Sequence, residues 1–232
     1  DTSAALSEQT KVKWDSITTK IYDADRLIRT LKQKAPKETG VHKTTWYMNE
    51  KGSDRPSRTI IKNNGESSGV TVKPGNYKVV MSFGDQSSET NITVKNDPRI
   101  NVASSNTNEV YATLKTLEAV QQTITDAVKQ LVESKNIASD YSKNLAKLDK
   151  KKYKDQIKAS KDIIKKTDEI IALYLGKVDK RQGITRNPEI TVMQRLNSAS
   201  QYVRSRQNGI TSTETTLIKH AKSELNTALN KT

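Results

Sequence analysis

Two hydrophobic periods divide this chain. Up to about residue 100, apolar residues come in short runs separated by turn residues. Beyond it they recur at spacings of three and four over long stretches. In the first part, Lys11 to Tyr22 sets Val12, Trp14, Ile17 and Ile21 among polar residues, and Arg26 to Leu31 continues with Leu27, Ile28 and Leu31. Asp23-Ala24-Asp25 between them suits a tight turn, because Asx side chains bond their own turn backbone. Val41 to Met48, with Trp46 as a large apolar anchor, predicts a third strand. Gly69–Val72, Asn76–Phe83 and Glu89–Val94 predict three more. Pro74-Gly75 turns the chain into the fifth of these, and Gly84-Asp85-Gln86 supports a hairpin into the sixth. Strands of this length with turn signals between them predict an antiparallel β-sandwich.

The second part predicts four helices, at about residues 107–148, 153–175, 190–207 and 212–230. The first carries an apolar stripe of Val110, Leu114, Leu117, Val120, Ile124, Val128, Leu131, Ile137, Tyr141, Leu145 and Leu148. Its length invites a kink near Ser134-Lys135-Asn136, and Asn106 with Glu109 reads as its capping pair. The second turns Ile157, Ile163, Ile164, Ile170, Ile171, Tyr174 and Leu175 inward and stops at Gly176. After the Lys177–Pro188 loop, the third uses Val192, Met193, Leu196, Ala199 and Val203. Asn208-Gly209 ends it, and Thr211 with Glu214 forms a capping box for the fourth, which carries Leu217, Ile218, Ala221, Leu225, Ala228 and Leu229. Mostly short links predict an antiparallel four-helix bundle. The domain reading is a lead-in over 1–10, a sandwich over 11–100 and a bundle over 101–232.

Composition supports the division. Residues 1–100 hold six of the nine Gly and four of the five Pro, residues that punctuate turns and are costly inside helices. Zero Cys excludes disulfide scaffolds, thiolate metal sites and cysteine nucleophiles. The two histidines, His42 and His220, are far apart in sequence and in different kinds of segment, which argues against a histidine metal site. No apolar run reaches the roughly 18–20 residues of a membrane-spanning helix, and no charged n-region precedes an apolar h-region. The chain starts at Asp1 without Met, which reads as a processed product or a piece of a longer protein.

Several stretches resemble a module of secreted bacterial proteins. They are IYDADRLIRTL at 21–31, GVHKTTWYM at 40–48 and KPGNYKVVMSFGDQSSETNITVKNDPRI at 73–100. With the DPRI junction at Asp97–Ile100 and RNPEITVMQRLNSASQYVRSRQNGITSTE at 186–214, the chain from about Lys11 to Thr232 is similar to one family. That family is the C-terminal region of exported sortilin-like or BNR (Asp-box) β-propeller proteins of the Bacteroidetes type, often labelled glycosyl hydrolases. The resemblance implies an Ig-like or fibronectin-like sandwich and an extracytoplasmic location: periplasm, outer-membrane surface or secreted. Asp25 departs from the family pattern, standing where its hairpin usually has Gly. No Asp-box motif occurs in this chain, so no propeller residue carries over. Asp15-Ser16-Ile17 resembles the O-glycosylation signal of exported Bacteroidetes proteins, which marks Ser16 as a candidate glycan acceptor.

Charge supplies the other candidate site. The formal net charge of +14 is shared unevenly between the halves, and its densest run is Lys147 to Lys166. Lys150, Lys151, Lys152, Lys154 and Lys158 lie at the corner between the first and second helices and form a candidate basic contact patch. Arg is scarce there and Tyr153 is its only aromatic, which argues against specific nucleic-acid readout and for a solvated or polyanion-facing surface. A lysine-rich amphipathic helix also suits peripheral contact with an anionic membrane. Asp23 and Asp25 read as turn formers. Asp162, Asp168 and Glu169 read as partners of Lys158, Lys165 and Lys166 within the second helix. Trp14 and Trp46 are sugar-stacking platforms if exposed and core residues if not. No nucleophile elbow, phosphate loop or cofactor motif is present.

The expectation is therefore a non-catalytic accessory region with no cofactor. It would brace an upstream propeller and offer a docking or self-association arm to the parent chain or to envelope proteins. Two alternatives accompany it: a fragment of a sialidase-like propeller hydrolase whose active site lies upstream, and a surface adhesin or a component associated with the outer-membrane export and gliding machinery.

Overall fold

A computed structural model describes residues 15–61, 65–178 and 190–232. The expected lead-in, Val12, Trp14 and most of the Lys177–Pro188 loop lie outside these residues. The chain forms two compact units. One comprises residues 1–51 and 64–100; the other comprises residues 52–63 and 101–232.

The first unit contains β1 (Ser16–Asp23), β2 (Arg26–Lys34), β3 (Asn49–Lys51), β4 (Ser68–Thr71), β5 (Gly75–Phe83) and β6 (Gln86–Val94). Four of these form an antiparallel sheet in the order β2-β1-β5-β6, and β3 pairs only with β4. The β1–β2 turn is made by Ala24, whose φ of 52° is left-handed, with the Asp23 carboxylate accepting from Arg26 at 2.9 Å. The ladder slips between Ile21 and Tyr22, and the extra residue on β2, Ile28, drops into the core. There it meets Ile21, Val72 and Tyr77, with Leu31, Trp46, Val79 and Val94 around them. Trp46 packs edge-on against Tyr77 at 5.6 Å and donates its indole N–H to the Asn49 carbonyl at 2.9 Å.

This is not the expected sandwich. A sandwich needs two sheets of comparable size facing each other, and the second sheet here is a pair of strands three and four residues long. The strand expected over Val41–Met48 is absent. Met48 takes a φ of 53°, which breaks the extended run, and only Asn49–Lys51 pairs.

Polar groups take over the work of the missing layer. Arg29 is buried and donates to the carbonyls of Glu50 at 3.3 Å, Glu66 at 3.1 Å and Ser67. The Glu66 carboxylate returns to the Thr30 N–H at 2.8 Å. Buried Glu50 accepts from Arg26 through both oxygens, at 2.9 and 3.1 Å. These bonds fasten β3 and the 65–67 segment to β2.

The second unit contains α1 (Ser104–Asp149), α2 (Lys154–Leu175), α3 (Val192–Arg204) and α4 (Ser212–Leu229). α1 runs unbroken for 46 residues, about 69 Å at the α-helical rise, through the expected kink. α2, at 22 residues, is about 33 Å long and α3, at 13 residues, about 20 Å. The Lys135–Asp168 ion pair at 2.6 Å joins α2 to the C-terminal half of α1. At the other end, the Glu109 carboxylate accepts from the Ile210 N–H at 3.0 Å, placing the α3–α4 turn against the first turns of α1. The tip of α2 meets the end of the chain through Tyr174 and Thr232, 2.8 Å apart. The unit is thus a long helix covered over one half by α2 and over the other by the α3–α4 hairpin. It is not the expected four-helix bundle, because no helix but α1 is long enough to run the full length beside the others.

Two expected details change with it. Asn106 and Glu109 do not cap α1, which starts at Ser104; Glu109 is used on the α3–α4 turn instead. Ile137, Tyr141 and Leu148, expected in the buried stripe, are exposed, and Val132, Ala138 and Ser142 are buried in their place. Small side chains let α2 approach closely, so the face carrying Ala138 and Ser142 is the one it covers.

Residues 52–61, expected in the strand region, belong to the helical unit. The Asp54 carbonyl accepts from Thr125 at 2.8 Å and from Gln121 at 3.2 Å; the Asp54 N–H donates to Gln122 at 3.3 Å. Arg58 donates to the Gly176 carbonyl at the C-terminus of α2, where a cation complements the helix dipole. The α3–α4 turn closes on Glu214, whose side chain is fully buried. One oxygen accepts from Arg206 at 2.6 Å; the other accepts from the Thr211 hydroxyl and from the Thr211 N–H at 2.9 Å. The last bond is one half of the predicted capping box. First the Arg206 guanidinium and then the Thr211 hydroxyl hold the carboxyl down at about 2.

Arg29→Ala removes three backbone clasps and leaves their carbonyls under-bonded, so it is expected to destabilise the strand unit by about 3 kcal/mol or more in denaturant titration. A carboxyl with a depressed pKa stabilises the fold fully above its ordinary value, about 4.3, and loses that contribution as pH falls toward 2. Helical circular dichroism should therefore fall in acid across that window. Glu214→Gln should melt lower than the native chain at pH 7 and lose this part of the pH dependence.

Candidate docking surface

The lysine corner is built by the end of α1 and the start of α2. α1 stops at Asp149 because its carboxylate turns back on the following backbone, accepting from the N–H groups of Lys151 at 2.9 Å and Lys152 at 3.0 Å. The Tyr153 N–H donates to the Asp149 carbonyl at 3.1 Å, and the Ile157 N–H to the Tyr153 carbonyl at 3.0 Å, so α2 restarts after only four residues. The corner is therefore fixed by hydrogen bonds within the turn. Leu145 and Ile157 are buried on either side of it.

All five predicted lysines, Lys150, Lys151, Lys152, Lys154 and Lys158, are exposed on this corner. Among the described residues none of them forms an ion pair; the Lys152 ammonium sits 5.4 Å from the centre of the neighbouring Tyr153 ring. Nine lysines and three aspartates fall between residues 147 and 166. The local balance is therefore six positive charges in excess, Asp149 included. Leu148 (74% exposed), Tyr141 (53%) and Ile137 (71%) lie along the same side of α1, at spacings of seven and four. The surface thus joins a cluster of mobile cations to a short apolar strip, and the sequence pattern had assigned that strip to the core.

Among the described residues, the ion pairs expected within α2 are not formed. Asp168 reaches across to Lys135 on α1 instead. Ser16 is the first residue of β1, half-buried, paired in the ladder with Lys34 and donating to Asp15 at 3.3 Å. Trp46 is half-buried and walls the core of the strand unit. Asp23 holds Arg26, in keeping with a turn role. In the DPR junction, Asp97 grips Arg99 at 2.6 Å, and this guanidinium holds the Asp97 carboxyl below its usual range.

Among the described residues, no three His, Asp or Glu side chains converge as a metal site would require, and no helix is long and apolar enough to cross a membrane. The corner carries no nucleophile–base pair and no aimed oxyanion donors, the features that chemistry on a bound substrate would need. What it can do is attract and hold clustered negative charge.

Asp149→Ala leaves two turn N–H groups without their acceptor. Amide exchange at Lys151 and Lys152 should speed up about 3- to 10-fold, with the exchange of buried α1 amides unchanged. Compared with models of known protein families, with curated proteins and with solved structures, this chain shows no significant match to any of them.

Proposed function

We propose that this chain is a non-catalytic docking module of the cell envelope, in which the α1–α2 corner engages a polyanionic surface. The observation that carries the reading is the set of five exposed lysines, free of ion pairs among the described residues, on a turn fixed by Asp149. Lysine suits such a partner. Its ammonium is a point charge on a flexible stem and adapts to irregular phosphate, carboxylate or sulfate groups. The exposed strip of Leu148, Tyr141 and Ile137 supplies apolar contact beside the charge. The sequence-based expectation assigned a propeller-bracing role to a sandwich and a docking or self-association role to a bundle. The structure has neither, so the docking reading is built on the corner alone.

Polyanion docking of this kind is weakened by salt, since the lysines are solvent-exposed. Lys150→Glu, Lys151→Glu and Lys152→Glu combined in the full chain should lower affinity for vesicles containing phosphatidylglycerol by about 100-fold or more at low salt, at roughly 1 kcal/mol per lysine. Elution from immobilised heparin should move to lower salt in the same variant, with an unchanged far-ultraviolet spectrum. Retention by heparin without vesicle binding would assign the partner to polysaccharide. Equal retention of native and variant chains on both would rule the corner out.

A further inference from the structure

The two-stranded partner covers only part of the inner face of the four-stranded sheet, and the uncovered part of that face is hollow. A cleft of about 440 Å³ opens there, lined by Thr19 and Ile21 from β1, Leu31 from β2, Val79 and Met81 from β5, and Ile92 and Val94 from β6. Trp46 and Met48 wall one side. This volume lies within the usual range of small-molecule sites. Thr44 and Thr93 also line the cleft, and two further polar groups distinguish it from a bare apolar face. Thr19 is 4% exposed, and among the described residues its hydroxyl has no hydrogen-bond partner. It stands between Leu31 and Met81 in the ladder, where an apolar residue of the same shape would serve packing better. At the rim, Lys95 is exposed and, among the described residues, is in no ion pair.

We propose that this cleft is a binding site for an amphipathic aromatic anion, a ligand of one or two apolar rings bearing a hydrogen-bonding group and a single negative charge. The ring system lies against the Trp46 wall and the aliphatic floor. Its hydrogen-bonding group meets the Thr19 hydroxyl, and its anionic end faces Lys95. A purely aliphatic ligand would leave the hydroxyl unsatisfied. A sugar would bring more hydroxyl groups than this apolar floor can bond. The site is independent of the lysine corner, which belongs to the other unit.

The test uses toluidinonaphthalene sulfonate with the full chain, a probe with fused apolar rings, an N–H group and a sulfonate. Its fluorescence should rise and saturate as for one site, and fall with added salt. Thr19→Val should weaken binding about 3- to 10-fold, the value of one hydrogen bond, while melting no lower than the native chain. Thr19→Ser should retain the affinity. Lys95→Gln should weaken binding and flatten its salt dependence. The proposal is overturned if the signal does not saturate, if Thr19→Val binds as well as the native chain, or if Thr19→Val melts lower, which would show that the hydroxyl serves the fold. Loss of the signal in Ile137→Glu, on α1, would place the probe on the exposed helix strip and overturn it equally.

Discussion

A helix of about 69 Å must bury an apolar stripe that no other helix among the described residues can cover alone. The organisation of the helical unit follows from that constraint. α2 covers the half of α1 nearest the corner, held in register by Lys135 and Asp168. The α3–α4 hairpin covers the other half, and Glu109 of α1 fixes its turn. Close approach there also decides the identity of Gly209. Its φ is +86°, and a β-carbon on it would come within 2.8 Å of the Glu109 carboxylate. Residues 52–61 fill the remaining middle, where Asp54 lies along α1 and Arg58 closes the end of α2. On the side of α1 that these pieces leave uncovered, Ile137, Tyr141 and Leu148 stay in solvent.

The strand unit meets the same shortage of apolar cover in another way. Its sheet has only a two-stranded partner, and the core is closed by one aromatic pair and a few aliphatic side chains. Buried Arg29 and Glu50 supply directional bonds where a second sheet would have supplied area. Such groups are costly to bury unless bonded, and here Arg29 donates to three backbone carbonyls while Glu50 accepts from Arg26. The region of the face left open is the cleft beside Trp46 and Thr19. In both units, then, incomplete burial leaves apolar side chains exposed beside lysines.

Much of the local structure was legible from residue pattern. The change from strands to helices near residue 100 coincides with the fall in Gly and Pro. The turns at Pro74-Gly75 and Gly84-Asp85, the stop at Gly176 and the Thr211–Glu214 cap depend on neighbours in sequence, and neighbours are what a pattern contains. The lysine corner was legible for the same reason, since all its residues fall within one turn and the start of α2. Trp46 was anticipated as an anchor, but not as the wall of a cleft, because the cleft needs four strands aligned before it exists. Thr19 gave no signal: a threonine in a strand is ordinary, and only its burial between Leu31 and Met81 without a partner sets it apart.

By itself, the sequence determined the type and approximate position of most elements, because backbone propensity, turn chemistry and hydrophobic period act over a few residues. The tertiary structure alone decided how many layers those elements make. It placed residues 52–61 with the helices, through bonds from Asp54 to residues some 70 positions away. It rotated the buried stripe of α1 from Ile137, Tyr141 and Leu148 to Val132, Ala138 and Ser142. It replaced the expected second sheet with Arg29 and Glu50. Each of these outcomes depends on which surfaces come within contact distance, and a periodic pattern along one chain fixes which residues are apolar without fixing what will be there to cover them.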